Sequence, residues 1–170
     1  MLLGAVVLAA ALAGCGGTSH RTPQTQDVRG PGYAFRAPAG WEVKRASHVV
    51  SAAPVEGGPD LISVSVFRIA RRVPRGLGPR VVRELDGVAA DYARRLPGRI
   101  VARATVRVGG LKGRRYEFAY TRQGEPRGQR LIFLFRGRTE LQLLCGWKAP
   151  PGKDVSAACA GLAASFRFRA

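Results

Sequence analysis

Apolar and polar positions alternate along much of this chain, and the alternation predicts β structure. In "YAFRAPAGWEVKR", Tyr33 and Phe35 alternate with Ala34 and Arg36. Pro38-Ala39-Gly40 reads as a turn and Trp41-Glu42-Val43 resumes the pattern, so two short strands about a tight turn are expected. "HVVSAAP" predicts a third strand, and Glu56 to Asp60 a loop. "LISVSVFRIA" predicts a strong strand, because β-branched and aromatic side chains suit a pleated surface. Pro74 through Pro79 break the pattern, and the period then changes. Val81, Leu85, Val88, Tyr92 and Leu96 recur at helical spacing until Pro97-Gly98 stops the helix. Four strand-like runs follow: "RIVARATVRV", "KGRRYEFAYTR", "QRLIFLFRG" and "ELQLLCGW". Last comes a second helix, with Asp154 as its expected N-cap and Val155, Cys159, Leu162 and Phe166 at helical spacing.

Consecutive strands joined by short turns favour an antiparallel sheet. The expected fold is therefore α+β: an antiparallel β-sheet of about six to seven strands with helices packed on it, and not a doubly wound parallel sheet. The opening "GYAFRAPAGW", the order of helix, meander and apolar "LQLLC", and the final helix closing on "AASFRF" resemble PsbP-like domains of actinobacterial-type envelope lipoproteins. The resemblance spans about residues 30 to 170. It implies an α/β/α sandwich used as a binding or assembly module, and it brings no catalytic residues.

The N-terminal end adds a location. Leu2 to Ala13 carry no charge and no proline. As a helix they would span roughly 18 Å, short of the about 30 Å of a bilayer core. The run fits the apolar region of a signal peptide, although Met1-Leu2-Leu3 lacks the usual basic start. Leu12-Ala13-Gly14-Cys15 then resembles a bacterial lipobox, in which the cysteine thiol receives diacylglycerol and the leader is cut just before it. The expected organisation is a lipoprotein signal peptide at 1–14, a lipidated Cys15 and flexible tether at 15–30, and a single α+β domain at 31–170. The tether would reach roughly 20 Å. Two acyl chains hold a protein at a membrane where one holds it only marginally. The expected place is thus the outer face of the cytoplasmic membrane.

Charge narrows the partners. The chain has 28 basic and 11 acidic residues, for a net charge of +17. A basic domain tethered at a membrane is drawn to anionic headgroups or wall polymers, and salt weakens the attraction. Export argues against nucleic acid as a partner. In "RIVARATVRV" a period of two puts Arg99, Arg103 and Arg107 on one face, with Arg114 and Arg115 close behind. These five are the candidate anion-binding residues, with a solvated outer face as the plain alternative.

Candidate chemistry is sparse. With Cys15 lipidated, Cys145 and Cys159 remain as a pair whose side chains face one sheet–helix interface. A disulfide there would staple the last helix to the sheet, and two buried thiols are the alternative. The histidines are His20 and His48, and neither has a ligand-like neighbour in sequence, so no metal is expected. No Gly-x-Ser-x-Gly elbow supports a nucleophile, and Gly76-Leu77-Gly78 is no phosphate-binding fingerprint, so no cofactor is expected. Glu84 with Asp86, and Glu117 with Glu125, are the carboxylate pairs that could share a site, with ion pairing to arginine as the simpler use. No enzyme is expected. The leading expectation is a lipid-anchored, non-catalytic binding or assembly domain that engages another envelope protein. The alternatives are a binder of anionic lipid or polymer, and a carrier of an apolar ligand between sheet and helix.

Overall fold

A computed structural model describes residues 24–73 and 77–169. The expected leader, Cys15, His20 and the first part of the tether lie outside the described residues. Within them the order is β1 (Thr25–Gly30), β2 (Tyr33–Pro38), β3 (Trp41–Arg45), β4 (Val49–Pro54), β5 (Leu61–Val73), α1 (Pro79–Arg95), β6 (Gly98–Val108), β7 (Leu111–Arg122), β8 (Glu125–Lys148), α2 (Lys153–Ser165) and β9 (Arg167–Phe168). Every strand pairing is antiparallel. A large sheet has the order β3-β4-β5-β8-β7-β6, and a small one the order β1-β2-β9. The fold is α+β, as the hydrophobic pattern predicts.

β8 is the centre of the large sheet and supplies two arms. Its 24 residues would stretch roughly 80 Å if straight. Instead the Ala149 N–H bonds to the Pro126 carbonyl at 3.0 Å, so the run folds back on itself. The reversal lies near Gly137, whose φ of +66° is a left-handed value open to glycine. The first arm pairs with β7 and the second with β5. The Trp147 indole lies over Gly128, where an added Cβ would come within 2.1 Å of it. The two arms are the two expected strands "QRLIFLFRG" and "ELQLLCGW".

Each face of the large sheet carries its own core. On one face Leu85, Ala89 and Ala93 of α1 pack on Tyr116, Phe118, Leu131 and Phe133. On the other, α2 and the small sheet cover Ile62, Val64, Ile132, Leu134, Leu141 and Leu143. Tyr33 joins these layers. Its ring stacks with Phe35 and Phe166, and its buried hydroxyl donates to the Val64 carbonyl at 3.2 Å. Burial pushes its pKa up to about 12, against a smaller downward pull from Arg45.

Four local expectations change. Residues 25–30, read as the end of the tether, form β1, with Val28 buried. Backbone pairing with β2 outweighs the polar composition, because one apolar side chain is enough to anchor a six-residue edge strand. β2 and β3 do not pair as a hairpin; the Pro38–Gly40 turn carries the chain from the small sheet to the large one. The buried line of α1 runs through Leu85, Ala89 and Ala93, leaving Val88 52% exposed. Small alanines let the helix approach the bulky aromatic floor, which a valine would hold off. Finally, Gly152 is the N-cap of α2, and Asp154 lies inside the first turn, where its charge favours the helix dipole.

Cys145 on β8 and Cys159 on α2 are disulfide-bonded, with Cα atoms 5.7 Å apart and both residues buried. The bond closes a loop across the Pro150-Pro151-Gly152 turn and fastens α2 to the sheet. The chain-entropy effect of such a loop is about 3 kcal/mol. The double variant Cys145→Ser/Cys159→Ser should lose about that much unfolding free energy in urea. Reductant should lower the wild-type midpoint and leave the variant's unchanged.

Candidate binding surfaces

The arginines expected on one face of β6 do not share it. In the pairing of β6 with β7, Ile100 faces Phe118 and Ala102 faces Glu117, so Val101 is an extra residue. Such a bulge reverses the alternation beyond it. Arg103 and Arg107 pair with Tyr116 and Lys112 and lie on the α1 side, whereas Arg99 pairs with Ala119 and lies on the other side. The expected stripe is therefore divided.

Two of the five candidates are already held. Arg114 sits against Asp86 of α1, with Nε 3.2 Å and Nη2 3.0 Å from Oδ1 and Nη2 3.2 Å from Oδ2. The Tyr116 hydroxyl donates to the same Oδ1 at 2.6 Å, and the Arg114 guanidinium lies 5.5 Å from the Tyr116 ring centre. Burial alone would raise the Asp86 pKa. The hydrogen bonds from Tyr116 and Arg114 and the charges of Arg114 and Arg103 outweigh it, and the carboxyl ends below its ordinary value. Burial, with the Asp86 hydrogen bond, pushes Tyr116 up to about 12. This cluster is a clamp between α1 and β7. Arg115 shares Glu117 with Arg130, at 3.6 and 3.0 Å.

The paired carboxylates are likewise apart and occupied. Glu84 meets Arg80, Asp86 meets Arg114, Glu117 meets Arg115 and Arg130, and Glu125 meets Arg127 and Lys148. His48 is exposed to Ser47 Oγ, 3.0 Å from its Nδ1, and its ring lies 5.2 Å from that of Phe67. Among the described residues no group of three or more His, Cys, Asp or Glu comes together to hold a metal ion.

One largely apolar depression was not picked out from the sequence. It is a groove of about 570 Å³ between the Pro38–Gly40 turn, Trp41 and the outer face of α2. The helix buries Val155, Cys159 and Leu162, which leaves Ala157, Gly161 and Ala164 facing outward. Gln26 fixes the opposite wall. Its side-chain nitrogen donates to the carbonyls of Pro38 at 2.9 Å and Trp41 at 2.6 Å. The one signal in the sequence was the small-residue composition of "SAACAGLAAS", which leaves space outside a helix as readily as it allows close packing inside.

No protein-family pattern matches the sequence, and no curated protein matches it. Solved structures do. A protein of Bacteroides thetaiotaomicron VPI-5482 is similar over 86% of this chain at 11% identity and a TM-score of 0.60. This chain covers 49% of that protein, about half its length. Cyanobacterial PsbP (CyanoP) from Synechocystis sp. PCC 6803 is similar over 93% of this chain and 99% of its own, at 14% identity and a TM-score of 0.58. LpqN, involved in cell envelope biogenesis of Mycobacterium tuberculosis, is similar over 86% of this chain and 91% of its own, at 13% identity and a TM-score of 0.58. The chain has the PsbP-like α+β fold.

The clamp makes a stability prediction. Asp86→Ala leaves a half-buried guanidinium and a buried phenol without their acceptor, and should cost about 1–3 kcal/mol in urea unfolding at neutral pH. The folded-state pKa of Asp86 lies below the unfolded one. The stabilisation is therefore complete above the ordinary carboxyl value of 3.8 and is lost as the pH falls below it. The gap between variant and wild type should narrow over that acid range. A gap that stayed constant there would show that the carboxylate charge does not hold α1.

Proposed function

We propose that this chain is a non-catalytic binding or assembly domain, held by lipid on Cys15 at the outer face of the cytoplasmic membrane, where it engages another envelope protein. The observation that carries the reading is the likeness to LpqN, a protein of cell envelope biogenesis, over 91% of its length. A domain of this size with the same layers and little added to them works by presenting surfaces. The lipobox-like Leu12-Ala13-Gly14-Cys15 supports the place. The carboxylates at Glu84, Asp86, Glu117 and Glu125, each taken up in ion pairs, support binding rather than acid–base chemistry. The groove beside Trp41 is the surface we assign to the partner.

The anchor has a direct test. Cys15→Ser should move the protein out of the membrane fraction, or leave it there with its leader uncut, and should abolish acyl labelling. A normally processed and membrane-retained variant would end the lipoprotein reading.

The partner has another. An added Cβ at Gly161 meets nothing within 4 Å, so Gly161→Trp fills the groove without disturbing the core. Affinity capture from the native envelope should retain one protein in stoichiometric amount through a high-salt wash, and Gly161→Trp should lose it. Recovery of anionic lipid or polymer alone, removed by salt, would overturn the assembly reading.

A further inference from the structure

The end of one strand and two chain reversals meet at one end of the large sheet. They are the end of β5 at Val73, the β6–β7 turn through Gly109 and Gly110, and the reversal of β8 at Gly137. Between them lies a cleft of about 650 Å³. Four basic side chains line it, Arg72, Arg107, Lys112 and Arg136, beside the half-buried Leu111 and Phe135. The charges come from four different strands, β5, β6, β7 and β8, which is why no single run of the sequence displays them.

Arg114, Arg115, Arg127 and Arg130 each meet a carboxylate. Among the described residues, none of the four cleft cations has a carboxylate oxygen within 4.0 Å. Arg99 and Arg122 also lack one among the described residues; the cations here stand out because four of them line one cleft. Four like charges around one cleft repel one another, and that repulsion is relieved by an anion from outside. Two of them are also held in place. Arg107 Nη1 donates to the Gly110 carbonyl at 3.2 Å, and the Arg136 guanidinium lies 4.9 Å from the centre of the Phe168 ring. Most of their N–H donors stay free, in the planar fork that matches phosphate oxygens.

We infer that this cleft binds the phosphodiester headgroup of an anionic phospholipid at a bilayer surface. The cations take the phosphate oxygens, and Leu111 and Phe135 meet the first apolar atoms beneath the headgroup. The mixture of cations with apolar side chains favours a lipid over a free phosphate, which has no apolar part to bury. Exposed Arg71 and Arg138 flank the cleft and add to the positive field that draws the domain to an anionic surface. The inference stands apart from the partner groove, so Gly161→Trp leaves it unchanged.

The test is co-sedimentation of the full chain, carrying Cys15→Ser, with vesicles of phosphatidylcholine alone or mixed with phosphatidylglycerol. The quantity read is the gain in binding that phosphatidylglycerol brings, which removes any contribution from the apolar leader. The cleft variant carries Arg72→Gln, Arg107→Gln, Lys112→Gln and Arg136→Gln. The control loses the same charge at the opposite end of the domain, through Arg95→Gln, Arg99→Gln, Arg122→Gln and Lys153→Gln, all exposed. Each basic side chain near an anionic surface is worth about fivefold in affinity. The cleft variant should therefore lose nearly three orders of magnitude of the gain, about 600-fold, and the control much less. Equal losses in the two variants would show that net charge alone is at work and would overturn the site. Saturable binding of glycerol phosphate in calorimetry, without any gain from phosphatidylglycerol, would overturn the lipid as its ligand.

Discussion

The structure depends on β8 being buried from both sides. In Leu131, Ile132, Phe133 and Leu134 every side chain is buried, and successive residues feed opposite cores. A strand with one wet face would alternate apolar and polar; this one cannot, because α1 covers one side and α2 with the small sheet covers the other. The two halves of the hydrophobic interior thus share one wall. The disulfide from Cys145 and the hydroxyl of Tyr33 tie the second layer to that wall, and the Asp86–Arg114–Tyr116 clamp ties the first.

Charge is arranged around this framework in two ways. Acidic side chains are few, and several are drawn into ion pairs that hold elements together, as Asp86 holds α1 to β7 and Glu125 meets Arg127 and Lys148 at the ends of the β8 arms. What remains is a surplus of cations, and its distribution follows the topology. At the cleft end of the large sheet, side chains project from turns and strand ends with no carboxylate oxygen within 4.0 Å among the described residues. The basic cleft and the apolar groove are accordingly separate features. One is built from chain reversals of the large sheet, the other from the outer face of a helix poor in large side chains.

Much of the fold was legible from side-chain periodicity. Both helices, the long strands and the antiparallel α+β class follow from it, and so does the Cys145–Cys159 pairing, since each cysteine lies on a buried face of its own element. The candidate sites were less legible. The period-two reading of Arg99, Arg103 and Arg107 assumes a regular strand, and one extra residue at Val101 sends Arg99 to the opposite face. Arg114 looked like a free cation because its partner, Asp86, lies 28 residues away on a helix.

The sequence by itself determined the local conformations and which face of each is apolar, because these are set by neighbours within a few residues. It also placed a lipobox-like cysteine ahead of the domain. Only the tertiary structure decided which strands pair, that β2 and β3 part into different sheets, and which charges are neutralised. These depend on residues far apart in the chain meeting in space. Arg72, Arg107, Lys112 and Arg136 become a cleft for the same reason: parts of four separate strands come together at one end of the sheet.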